Sequence, residues 1–144
     1  LPPFRLGGDA RREGVRALLR RAMARLEALD LPEPERARIE LVLAEVLNNV
    51  ALHAYGDRPG PCPIRLTCRP GIGNLAIGVC DSGHPMPNGR LPAGRPQQVN
   101  LPLADLPEGG FGWFLIRGLA EDLQYERRSG RNHLQFRLPL GRSG

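Results

Sequence analysis

From Asp9 to Leu29 the apolar residues Val15, Leu18, Leu19, Ala22, Met23, Leu26 and Leu29 return at intervals of three and four. That spacing draws one stripe along a helix, and Asp9 stands where it can cap the first turn. Leu31 to Glu33 interrupt the pattern, and Pro34 suits the opening turn of a second helix. This helix is expected to run to about His53, before Gly56 and the Pro-rich stretch 59 to 63. Two strands should follow, Ile64 to Arg69 and Leu75 to Cys80, with Gly71 and Gly73 in the turn between them. Leu75, Ile77 and Val79 share one face of the second strand. A third helix is predicted from about Phe111 to Asp122, then a hairpin of Leu123 to Arg128 and Asn132 to Leu138 turned at Ser129 and Gly130. In its returning strand Leu134, Phe136 and Leu138 alternate toward a core while His133, Gln135 and Arg137 face out. This order of elements predicts an α+β fold, a two-layer α/β sandwich with a mixed β-sheet and helices packed on one face.

The segment from His84 to Glu108 breaks every periodicity. It carries Pro85, Pro87, Pro92, Pro96, Pro102 and Pro107 with Gly89 and Gly94. A connection much longer than roughly 12 to 15 residues is a functional lid or a disordered segment, so 84–110 is expected to be a lid loop. With 144 residues the chain has the size of one domain, 1–144. Hydrophobic residues at 41% and charged residues at 24% are ordinary for a soluble globular protein. No apolar run approaches the roughly 20 residues of a membrane span, and no signal-peptide pattern opens the chain, so a cytoplasmic location without membrane contact is expected.

All 20 basic residues are arginine. A Walker-type P-loop requires lysine, so that class of nucleotide site is excluded. The net charge of +5 steers association without defining a partner. Arg11, Arg12, Arg16, Arg20, Arg21 and Arg25 are spaced as a solvated helix face, and direct nucleic-acid binding is not expected. Cys62, Cys68 and Cys80 have no C-x-x-C spacing and no close histidine pair, which leaves them as reduced thiols.

Three short patterns carry chemistry. Glu45 and Asn49 are four apart on the second helix and point the same way, beside the stripe of Ile39, Leu43, Val46 and Val50. Asn49 can offer a neutral carbonyl to magnesium, and Glu45 can accept a proton from a nucleophile. Asp81-Ser82-Gly83 ends a strand, where an exposed carboxylate at a cleft can accept a hydrogen bond from an exocyclic amine. Gly83 there would let a flat ring approach the backbone. Guanine would set a carbonyl against that carboxylate, so adenine is favoured. Gly109-Gly110-Phe111-Gly112 precedes a helix, and free N–H groups at such a start attract phosphate. Of the remaining polar side chains, His53 at a helix end and the loop residues Arg90 and Arg95 read as structural or solvated, while Trp113 and Phe114 should pack against the sheet.

E-x-x-x-N on a helix, D-x-G after a strand and G-G-x-G after a long Pro-rich loop stand here in one order. That order resembles the GHKL superfamily of ATPases with the Bergerat nucleotide fold. Ala44-Glu45-Val46-Leu47-Asn48-Asn49-Val50-Ala51-Leu52-His53-Ala54-Tyr55-Gly56 looks most like the anti-sigma factor serine/threonine kinases of bacteria. The resemblance covers about residues 10 to 140, and it departs at Asn132, near which many members carry threonine. It implies ATP and Mg2+ as cofactors, with Asp81 on adenine, Asn49 on magnesium and Glu45 as the base that activates a serine. It also implies a sigma factor and an anti-anti-sigma (STAS-type) protein as partners, and a homodimer. The alternatives are a nucleotide-dependent switching module that transfers no phosphate, and the ATP-binding domain of a larger signalling kinase.

Overall fold

The computed structural model describes residues 1–11, 13–92 and 110–141, and at 110 and 111 the backbone alone. Five strands and three α-helices lie along it. They are β1 (Phe4–Asp9), α1 (Glu13–Leu26), α2 (Glu33–Val50), β2 (Pro63–Gly71), β3 (Asn74–Asp81), α3 (Gly110–Leu119), β4 (Glu121–Arg128) and β5 (Arg131–Pro139). The strands form one sheet in the order β1-β2-β3-β5-β4. Every ladder is antiparallel, so the expected two-layer arrangement stands and the sheet is antiparallel throughout rather than mixed.

Alternation builds the inner face of the sheet. Phe4 and Leu6, then Ile64, Leu66 and Cys68, then Leu75, Ile77 and Val79, then Leu134, Phe136 and Leu138 are all buried. Register sets them in rows, with Cys68 opposite Ile77 and Ile77 opposite Phe136. Helix α1 covers the sheet with Val15, Leu18, Ala22, Met23 and Leu26, and α2 with Ile39, Val42, Leu43, Val46, Leu47 and Val50. These spacings of three and four produce the facing stripe. Trp113 and Ile116 of α3 complete the core and are fully buried. Cys62 and Cys68 are buried free thiols and Cys80 a half-buried one; burial pushes Cys68 up to about 12.

Three expectations change at element ends. Asp9 closes β1 and does not cap a helix; its carboxylate accepts from the Arg11 backbone N–H at 2.9 Å and from the Arg11 guanidinium. That pairing lowers its pKa to about 2. Strand β1 itself has only Phe4 and Leu6 in alternation before two glycines, too short a pattern to mark a strand. It forms because it lies against β2, Phe4 opposite Cys68 and Asp9 opposite Pro63. Helix α3 stops at Leu119, and Glu121 and Asp122, expected to close it, open β4 instead. Asp122 adopts a left-handed φ of 54°, which a helix cannot continue through. The β4–β5 hairpin turns where expected, Ser129 and Gly130 both having positive φ as a two-residue turn requires. Among the described residues no helix is long and apolar enough to cross a membrane.

Candidate functional site

Helix α2 does not stop cleanly at Val50 but loosens into a π turn over Ala51–Tyr55. That turn is bonded to the end of β3 at several points. His84 N–H donates to Ala54 O at 2.7 Å. Ser82 N–H donates to the Tyr55 hydroxyl at 2.9 Å, which donates in turn to Pro63 O at 2.5 Å. Gly83 lies against the same turn: a methyl group there would fall 2.3 Å from Ala54 O. The space beside Gly83 is filled by Ala54 of that turn, so the packing of strand end on helix end by itself excludes a side chain.

The same alternation that points Leu75, Ile77 and Val79 inward carries on to Asp81. Its carboxylate is therefore buried, 5% exposed, and not exposed at a cleft as the sequence suggested. Asp81 Oδ1 accepts from Gly83 N–H at 2.9 Å and from Asn132 Nδ2 at 2.8 Å. Burial raises the pKa of Asp81, while the bonds from Asn132 and Gly83 and the nearby Arg127 charge work the other way. Asp81 shares a small apolar cavity of about 10 Å³ with Val50, His53, Ala54, Met86, Leu91 and Leu134. The end of α2 and the end of β3 thus meet at one pocket.

One turn back along α2, Asn49 is buried and Glu45 half-buried, on the side of α2 that faces α3. Asn49 Nδ2 donates to Glu45 O at 2.6 Å, and Asn49 Oδ1 is buried with no hydrogen-bond partner among the described residues. A buried acceptor left unpaired costs about 1 to 3 kcal/mol, a cost that a ligand donating or coordinating to this oxygen would relieve. Gly112 of α3 comes so close that a methyl group on it would lie 2.6 Å from Asn49 Nδ2 and 2.8 Å from Glu45 Oε2. Only glycine lets the first turn of α3, which Gly110 and Phe111 open, reach this pair. Gly109 lies outside the described residues, as do 93–109 of the expected lid and Arg95 with them; Arg90 is exposed.

The pair fits a magnesium nucleotide. Among the described residues no group of three or more His, Cys, Asp or Glu gathers, so a cation at Asn49 Oδ1 would take its remaining oxygens from phosphates and water, as magnesium does. Sequence reasoning missed Tyr55, Tyr125 and Arg127, which hold the pocket together. For the last two the signal is alternation along β4, where Leu123, Tyr125 and Arg127 share a face.

A family model described as the histidine kinase-like ATPase domain matches residues 9–138. The serine/threonine-protein kinase BtrW of Bordetella bronchiseptica is 33% identical over 118 residues, covering 76% of this chain and 77% of that protein. The solved RsbU and RsbW domains of a Mycobacterium tuberculosis protein align with a TM-score of 0.64 at 17% identity, over 99% of this chain and 34% of theirs. The histidine kinase domain of a blue-light activated histidine kinase from Erythrobacter litoralis aligns at 0.53 with 23% identity, over 88% and 61%. This chain spans 34% and 61% of those two solved chains, and the likeness to them is one of fold.

Proposed function

This chain belongs to the family of histidine kinase-like ATPase domains, and on that premise we propose that it is an anti-sigma regulatory factor with serine/threonine kinase activity. It binds ATP with magnesium, passes the γ-phosphate to a serine of an anti-anti-sigma (STAS-type) partner, and sequesters a sigma factor. The kinase named BtrW, 33% identical, supports the activity, and the RsbW domain supports the fold that would carry it. The observation that carries the reading is the buried Asn49 Oδ1 beside Glu45, unpaired among the described residues.

In this reading Asp81 accepts from the purine amine, and Asn49 Oδ1 is the protein's ligand to magnesium. Gly109, Gly110, Phe111 and Gly112 lend backbone N–H groups to the phosphates at a helix start. Gly83 holds the strand end against α2. Magnesium, when bound, supplies charge neutralisation at phosphate oxygens. Glu45 takes the proton of the attacking serine, and positioning does most of the remaining work.

The test is incubation with labelled ATP, magnesium and candidate sigma and anti-anti-sigma partners, reading complex formation and phosphoserine together. Glu45→Ala should keep ATP affinity and lose transfer by about 10²- to 10⁴-fold. Transfer that survives this change would remove Glu45 from the mechanism. ATP-dependent complexes without phosphoserine would identify a switching module instead.

A further inference from the structure

The structure has a fully bonded amide at Asn132. Asn132 is buried, directly opposite Asp81 in the β3–β5 ladder. Its Nδ2 donates to Asp81 Oδ1 and to His84 O, each at 2.8 Å. Its Oδ1 accepts from the Tyr125 hydroxyl at 2.5 Å and from Arg127 Nη1 at 3.1 Å. Two hydrogens and two lone pairs are all an amide has, so every capacity is used. A flipped amide would set oxygen against oxygen at Asp81 and donor against donor at Arg127. Tyr125 and Arg127 thereby dictate which end of Asn132 faces the carboxylate. Both are anchored in turn: Met86 N–H donates to the Tyr125 hydroxyl at 2.9 Å, and Arg127 donates to Gly83 O at 2.6 Å.

The consequence falls on Asp81. Its Oδ1 is taken by Asn132 and Gly83, while Oδ2 accepts no hydrogen bond from any described residue. We propose that Asn132 is a positioning residue for purine recognition: by holding Oδ1 it fixes the plane of the Asp81 carboxylate and reserves Oδ2 for the 6-amino group of the nucleotide. This rests on reading the Asp81 pocket as the adenine site. A threonine at position 132 would offer a single O–H donor and could not make the four bonds of this cross-link.

The test compares the affinities of the whole chain for ATP and for purine riboside 5′-triphosphate, the same ligand without the 6-amino group. The wild type should prefer ATP by about tenfold or more, because Asp81 Oδ2 is left without a donor by the amine-free ligand. In Asn132→Leu that preference should collapse toward unity, through weaker ATP binding, with affinity for the amine-free ligand changed by no more than about twofold. Asn132→Thr, which keeps one donor for Asp81, should recover part of the preference. A purely structural residue would weaken both ligands alike, and that result, or an unaltered ratio, overturns the proposal. Should Asn132→Leu not fold, Tyr125→Phe removes one donor to the amide and should still lower the ratio by about two- to fivefold; no change overturns the proposal equally. A wild type that binds neither ligand defeats the adenine pocket itself, and this inference with it. A wild type that binds ATP with a ratio indifferent to position 132 defeats only the inference.

Discussion

Asp81 is pulled in two directions by its surroundings. Burial among apolar side chains strips its hydration, while Asn132 and Gly83 return two hydrogen bonds to one oxygen. Burial is the larger effect, and the pKa rises from its ordinary value of 3.8. The folded protein therefore binds more protons than the unfolded chain between 3.8 and the raised value. Stability falls as pH rises through that window, and the cost of the buried charge stands in full above it. Asp81→Asn removes the charge and keeps an oxygen for both donors, so its urea midpoint at neutral pH should equal or exceed that of the wild type. ATP binding in the same variant should be lost. A clear drop in the midpoint would mean that the charge is net stabilising, against this account. Ionised Asp81 is also the form that accepts from the amine, so the preference for ATP over purine riboside 5′-triphosphate should shrink as pH falls through the same window. A ratio that stays level from neutral pH to about 4 would argue that Asp81 does not read the amine.

Among the elements, the junction of α2 with β3 decides the site. The π turn at Ala51–Tyr55 brings Ala54 O and the Tyr55 hydroxyl to the strand end, and Gly83 permits the contact. A side chain at 83 would have to displace backbone, since the nearest atoms are Ala54 O and C at 2.3 and 2.6 Å. Gly83→Ala should therefore destabilise the fold by about 1 to 3 kcal/mol, read by urea unfolding with and without ATP. Loss of ATP affinity at unchanged stability would instead place Gly83 against the ligand, as the sequence first suggested. Helix α3 plays a parallel part from the other side, since Gly112 brings its first turn onto Glu45 and Asn49. Those two residues were legible as a pair because helical spacing of four alone puts them on one face.

For the molecule as a whole, the three α-helices of the described residues lie on one side of an antiparallel sheet, and the candidate site lies where both layers end. A ligand that bridges the layers binds only the folded chain. Magnesium ATP at a hundred times its dissociation constant should therefore raise unfolding free energy by about 2.7 kcal/mol, measured by denaturant titration. Asn49→Ala should abolish the magnesium-dependent part of that gain, and an undiminished gain would exclude Asn49 as the metal's ligand. Local periodicity determined the helical stripes of α1 and α2, four of the five strands, the hairpin turn and the residue types able to handle phosphate, metal and amine, because neighbours along the chain suffice for these. It also holds the inward direction of Asp81, in the alternation begun at Leu75, although the polarity of a carboxylate at a strand end points to exposure. Only the tertiary structure decided that β1 exists, since Phe4 meets its partner Cys68 across most of the first half of the chain. It alone joined Asn132, Tyr125 and Arg127 to Asp81, and left Asn49 Oδ1 without a partner among the described residues. Pairings between distant segments depend on how the layers close upon one another, and a pattern of period two or 3.6 holds no record of that closure.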